Sequence, residues 1–303
     1  MTTVELSNVS RWYGNVVAVN DISMTLEPGV TGLLGPNGAG KTTVLHMMAG
    51  FLSPSRGTVT IDGEKTWRNP AIYRRLGLVA EREAVHGFLT AREFVIASAR
   101  MQKLPDPIKA ADRALEMVEM TPAQDRRIET YSKGMRQRTR VAAALVHEPQ
   151  VLLLDEPFNG MDPRQRMHMM SLLHTLGDRG HTILFSSHIL EEVEQVSGTV
   201  QVIVAGRLAA SGDYRKIRRL MTNRPHVFAL QSSDDRRLAV ALIGEKSVSG
   251  VEIDGTGLTV RAADYGSFTR ALPRIALGEG IRLRKLLPSD ESLESVFSYL
   301  LEA

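Results

Sequence analysis

The sequence predicts an α/β fold with a mainly parallel core sheet, followed by a smaller α+β unit. Three observations lead there. Strand-like and helix-like segments alternate as far as about residue 220. One strand, VTGLLG, runs straight into a glycine-rich loop and an apolar helix. Another, PQVLLLDEP, is apolar throughout, as a parallel strand covered on both faces must be.

Taken in order, VELSNVSRWY and VVAVNDISMTLEP alternate apolar and polar residues with the period of half-buried strands. The helix TTVLHMMAGFL follows the glycine-rich loop, and SRGTVTIDGEK returns as a hairpin turning at Asp62-Gly63. From Phe88 to Glu148 the pattern is helical, and Thr90-Ala91-Arg92-Glu93 has the form of a capping box. After PQVLLLDEP comes a helix around Arg164 to Gly177, then the strand HTILFSSH and the closing hairpin VQVIVAGRLAASG. Near Met221 the composition shifts. TNRPH reads as a joint between a first domain, 1–220, and a second, 225–303. The second has the order β-α-β-β-α-β, which predicts a small ferredoxin-like module. A last helix is expected after Pro288, with Asp290 and Glu291 in its first turn and Leu293, Val296, Phe297, Leu300 and Leu301 on one face.

Composition narrows the function classes. The chain of 303 residues has no cysteine, which excludes disulfides and thiolate metal sites. A net charge of +3, from 37 basic and 34 acidic residues, with basic pairs such as Arg74-Arg75 and Arg126-Arg127 scattered along the chain, predicts no nucleic-acid partner. The start MTTVELSNVSRWYG lacks the basic and apolar regions of a secretion signal. No run reaches the ~20 apolar residues of a membrane helix. Any work at a membrane is therefore expected from outside the bilayer.

The chemistry concentrates in a few motifs. Gly35-Pro36-Asn37-Gly38-Ala39-Gly40-Lys41-Thr42 fits the phosphate-binding pattern GxxxxGK[ST], between a predicted strand and a predicted helix. Its backbone N–H groups and Lys41 suit the β- and γ-phosphates of a nucleotide, and the Thr42 hydroxyl suits Mg²⁺. Asp155 and Glu156 are the only acids on an apolar strand and sit at its C-terminal end, the ligand edge of such a sheet. Asp155 would hold the metal through water, and Glu156 would orient or deprotonate an attacking water. His188 ends its own strand at the same edge, within reach of the γ-phosphate. A second anion site is predicted at Ser132-Lys133-Gly134, where a turn opens a helix.

In order, the P-loop, the stretch Tyr131-Ser132-Lys133-Gly134-Met135, the Asp155-Glu156 strand, Asn159-Gly160-Met161-Asp162 and His188 resemble the nucleotide-binding subunit of an ATP-binding cassette (ABC) transporter. The resemblance covers about residues 3–220. It implies that Tyr13 stacks on adenine, that Thr43 joins the P-loop in nucleotide binding, and that Ser132 and Gly134 form the signature that meets a phosphate. It further implies that Asn159 to Asp162 face a partner subunit's site and that His188 is the switch histidine. Two positions depart from the family. The usual signature Leu-Ser-Gly-Gly-Gln has Lys133 for its first glycine and Met135 for its glutamine. The family's glutamine after the strand at Gly77 is Glu81, an expected metal or water contact, and Glu81 to Leu89 would be the coupling region. The tail, ending SLESVFSYL, resembles the C-terminal extension of exporter-type subunits.

The resemblance implies ATP and Mg²⁺ as cofactors and a homodimer or heterodimer of cassettes closing across ATP. It also implies a separate transmembrane permease and a peripheral place on the cytoplasmic face of the cell membrane. ATP hydrolysis coupled to export is the expected function. A cassette acting as a regulatory or mechanical signal would carry the same motifs. Soluble cassettes of translation or DNA repair are paired, coiled or zinc-bound, unlike this chain, and the signature argues against a P-loop kinase. Cargo identity belongs to the membrane partner.

Overall fold

The computed structural model describes residues 2–81, 85–221, 224–255 and 257–301. Their contacts divide the chain into two compact units, one ending at Ser211 and the other starting at Gly212.

The first unit opens with strands β1 (Val4–Tyr13) and β2 (Val16–Leu26), then β3 (Gly29–Leu34) and helix α1 (Lys41–Met48). Next come β4 (Arg56–Ile61), β5 (Glu64–Lys65) and β6 (Leu76–Val79), followed by the helices α2 (Ala91–Met101), α3 (Pro107–Met117) and α4 (Lys133–Leu145). The remainder alternates: β7 (Val151–Asp155), α5 (Pro163–Asp178), β8 (Thr182–Ser186), α6 (Leu190–Val196), β9 (Thr199–Val204) and β10 (Arg207–Asp213). Among the described residues the core sheet has the order β10-β9-β3-β8-β7-β6, and β2-β1-β4-β5 form a second sheet. Strands β3, β6, β7, β8 and β9 pair in parallel, and every residue of β7 and β8 is buried, which accounts for their unbroken apolar runs. The antiparallel sheet turns its alternating apolar face, Val4, Leu6 and Ile22 among others, onto the core that α1 shares.

Helices α2, α3 and α4 form a separate layer. The Thr90–Glu93 capping box is formed in both directions and starts α2 where the sequence pattern placed it. Arg92 clamps Asp112 of α3 with two bonds of 2.7 and 2.9 Å. Buried Arg138 of α4 donates to the carbonyls of Val118 and Glu119, capping the C-terminal end of α3.

The second unit contains α7 (Tyr214–Leu220), β11 (His226–Ser232), α8 (Asp235–Ile243), β12 (Val248–Ile253), β13 (Leu258–Ala262), α9 (Tyr265–Gly278), β14 (Leu283–Pro288) and α10 (Leu293–Leu301). Its antiparallel sheet runs β12-β13-β11-β14, the strand order of a ferredoxin-like β-α-β-β-α-β module. Phe228, Leu230 and Val260 of the sheet pack with Leu238, Leu242 and Phe268 of α8 and α9.

Two expectations shift here. The contact division precedes α7, which the sequence reading placed in the first domain. Helix α10 starts at Leu293, so Asp290 and Glu291 lie ahead of it rather than in its first turn. Helix α10 is capped by Ser292, whose Oγ accepts from the Ser295 N–H at 3.2 Å, and the acids ahead of it turn to α7. Arg218 of α7 donates to Asp290, and Arg219 makes a two-bond clamp on Glu291 at 2.8 and 3.2 Å. These pairs hold α7 against the approach to α10.

Candidate nucleotide-binding and hydrolysis site

The P-loop joins the C-terminal end of β3 to the start of α1. Gly40 has φ 106°, and a Cβ there would come within 2.6 Å of the Ala18 carbonyl, so only glycine fits. No side chain caps α1, which leaves the N–H groups of its first turn directed at the loop. Lys41 bends back across the loop, and its Nζ donates to the carbonyls of Gly35 at 2.7 Å and Pro36 at 3.2 Å. A cavity of about 360 Å³ lies against this turn, lined among others by Asn37, Gly38, Lys41, Thr42, Thr43 and Glu81.

Asp155 and Glu156 line the same cavity from the end of β7. The Thr42 hydroxyl donates to Asp155 Oδ2 at 2.8 Å, and Ser186 Oγ on β8 donates to the other carboxylate oxygen. A hydroxyl and a carboxylate side by side are the hard oxygen donors that Mg²⁺ takes. Among the described residues no cluster of three or more His, Asp or Glu forms a metal cage. Glu81 lines the cavity near Lys41, while Arg82 to Ala84 of the expected coupling segment lie outside the described residues.

Glu156 carries a left-handed backbone, φ 52°, unusual for a residue with a side chain. Its carboxylate meets His188 Nδ1 at 2.9 Å, and the histidine is more than half exposed. Burial pushes the Glu156 carboxyl above the ordinary glutamate value; the hydrogen bond and charge of His188, and the charge of Lys41, oppose the rise. Burial likewise pulls the Lys41 ammonium down, against the carboxylates of Glu156, Asp155 and Glu81. In each group burial works against the charged form while opposite charges nearby support it.

The structure does not bring the signature to this cavity. Ser132 caps α4, accepting from the Met135 N–H at 3.2 Å, and Ser132 and Lys133 face solvent. Gly134 packs on the loop that holds Asn159 to Asp162: a Cβ there would sit 2.8 Å from the Gly160 carbonyl. Asp162 caps α5 through the Gln165 N–H. Tyr13 is half-exposed, with the Arg11 guanidinium 4.7 Å from its ring centre. A second cavity, about 400 Å³, lies between the core and the helical layer, with Phe51, Phe94, Met101 and Arg140 on its walls.

Sequence reasoning missed Ser186, which accepts from the Glu156 N–H at 3.0 Å as well as bonding Asp155. A paired hydroxyl at the end of an otherwise apolar strand, FSSH, was the available signal.

The ABC transporter family matches residues 19–159. A bacitracin transport ATP-binding protein from Bacillus licheniformis is 32% identical over 303 residues, spanning 99% of this chain and 97% of the relative. The chain belongs to the ABC transporter family. This cassette is also 31% identical to a daunorubicin/doxorubicin resistance ATP-binding protein from Streptomyces peucetius, over 97% of the chain and 91% of the relative. The solved ATP-binding subunit of an ABC transporter superposes with a TM-score of 0.66 at 26% identity, covering 71% of this chain and 92% of that one. A bacterial ABC cassette solved as a dimer shares the fold, with a TM-score of 0.64, 24% identity, and 69% and 97% covered. The chain is an ATP-binding subunit and an ATPase of the cassette type.

Proposed function

We propose that two copies of the chain close on two ATP molecules and that their closing and reopening drive a separate transmembrane permease to export cargo. Each ATP lies between one copy's P-loop and the other copy's Ser132–Gly134 helix start. The observation that carries this reading is the split between the two anion sites: the P-loop cavity is walled by Lys41, Asp155 and Glu156, while the signature start stands exposed and outside it. A helix start with an exposed hydroxyl beside a close-packed glycine is suited to a phosphate brought by another subunit.

Lys41 and the loop N–H groups hold the β- and γ-phosphates, and Tyr13 stacks on the base. Thr42 and Asp155 would hold Mg²⁺, with Glu81 facing it or a water, and the ion when bound would supply positive charge beside the phosphates. Glu156 takes the proton of the attacking water, and His188 keeps the carboxylate aimed and ionised. Closure comes from ATP binding, because the trans contacts exist only in the closed pair. In this reading the groove between Phe51, Phe94 and Met101 receives the permease and the chain works on the cytoplasmic face of the membrane; no helix of the described residues is long and apolar enough to cross it. Relatives named for bacitracin transport and for daunorubicin/doxorubicin resistance support outward movement of antibiotic-like cargo.

The test is Glu156→Gln, which keeps the shape and removes the base. ATP-dependent dimers should form and persist while phosphate release falls to background. Rapid hydrolysis by that variant would overturn the base assignment.

A further inference from the structure

The left-handed backbone of Glu156 needs restraint on both sides, because its φ and ψ together set where the carboxylate points. Its N–H is held by Ser186 Oγ at 3.0 Å. Its carbonyl precedes Pro157 and accepts from the Asn159 N–H at 3.3 Å and from Gln137 Nε2 at 3.4 Å. Gln137 comes from a different layer, helix α4. One turn further along α4, Arg140 Nη1 donates to Gln137 Oε1 at 2.6 Å, which fixes the end of the amide that faces Glu156. Arg140 Nη2 donates to the Ala80 carbonyl, the residue before Glu81. Both side chains are buried, and Arg140 also forms part of the wall of the apolar groove.

Burying an amide and a guanidinium is costly unless each is placed to make such bonds. Here the bonds join three places that hydrolysis must coordinate: the groove, the Glu81 turn and the Glu156 turn. We propose that Gln137 is a positioning residue for Glu156 and that Arg140 sets Gln137, so that a shift in the groove wall re-aims the catalytic carboxylate. The relay acts through backbone position and touches neither nucleotide nor metal. It rests on Glu156 acting as the base.

Steady-state ATPase kinetics of the purified full chain test it, with thermal unfolding and binding of a fluorescent ATP analogue as controls on folding and affinity. Gln137→Glu keeps the size and the acceptor for Arg140 but loses the donor to Glu156. It should lower kcat about tenfold or more and leave KM for ATP within about twofold, as a misplaced catalytic group does. Arg140→Met should show the same split, Arg140→Lys should restore most of kcat, and Gln137→Met with Arg140→Met should lose no more than the worse single variant. If either Met variant fails to fold, Gln137→Glu and Arg140→Lys still decide. Unchanged kcat in Gln137→Glu, or a raised KM with kcat intact, would overturn the relay while Glu156→Gln stays inactive. Turnover persisting in Glu156→Gln would overturn the base assignment and the relay with it.

Discussion

At the nucleotide edge of the cassette, Lys41 and Glu156 are drawn out of water yet bonded to partners that can let go. Lys41 rests on two carbonyls, and Glu156 meets a histidine that is more than half exposed. In the C-terminal unit, Arg218 and Asp290 are almost completely buried and bonded directly to each other. Arg218 also donates to the Pro225 carbonyl at 2.8 Å and lies over the Tyr299 ring, 5.0 Å from its centre. The chemical groups are alike, a cation and a carboxylate, but their settings assign opposite tasks. A site that must admit phosphate and metal holds its charges on partners that can be displaced, whereas the clamp pairs a buried cation with a buried carboxylate and shuts water out, even though Arg218 Nε and Nη1 and Asp290 Oδ1 find no hydrogen-bond partner among the described residues.

The sharpest way to break the comparison is to remove one carboxylate from each region. Asp290→Ala leaves the Arg218 guanidinium buried without its carboxylate, and should cost about 3–5 kcal/mol in denaturant unfolding of the C-terminal unit. Replacing both partners, Arg218→Met with Asp290→Leu, should recover most of that loss, because neither charge then needs burial. Glu156→Gln should leave unfolding unchanged or raise its midpoint, since burial already disfavours the ionised acid there. Equal destabilisation by the two single changes would erase the distinction.

A smaller effect should appear with pH. Burial, reinforced by the charge of Arg218, holds His226 below the ordinary histidine value of 6.5, although Asp290, Asp264 and Glu291 pull the other way. His147 is lowered by burial as well. As pH falls, the unfolded chain binds these protons before the folded one does. Stability is therefore fully present above 6.5 and declines as pH drops from there toward the lower folded values. His226→Leu should flatten that slope for the C-terminal unit in urea unfolding followed from neutral to mildly acid pH.

Much of this was legible in the sequence because it rests on local rules. The P-loop, the acids ending an apolar strand, the capping box at Thr90 and the β-α-β-β-α-β order each follow from period, turn chemistry or spacing. What stayed hidden depends on contacts far apart in the chain. Ser-Asp-Glu before an apolar stretch reads as a helix start, yet Asp290 is taken by Arg218, 72 residues earlier. The same pair draws α7 into the second unit. On α4, the run Gln137-Arg138-Thr139-Arg140 is polar throughout, yet all four residues are buried. Periodicity cannot tell a polar face that meets water from one that meets backbone carbonyls of a neighbouring layer. The relay to Glu156 was invisible for that reason.

Sharing of each ATP between two chains, as proposed, is tested most directly by mixing two inactive variants. A Lys41→Ala chain lacks the P-loop ammonium, and a Ser132→Ala chain lacks the signature hydroxyl. In a mixed pair with sites in trans, both lesions fall on one ATP and the other site keeps Lys41 and Ser132 intact. Measured as ATPase activity, the mixture should rise well above the two variants assayed separately. Activity no greater than their average would contradict a shared site.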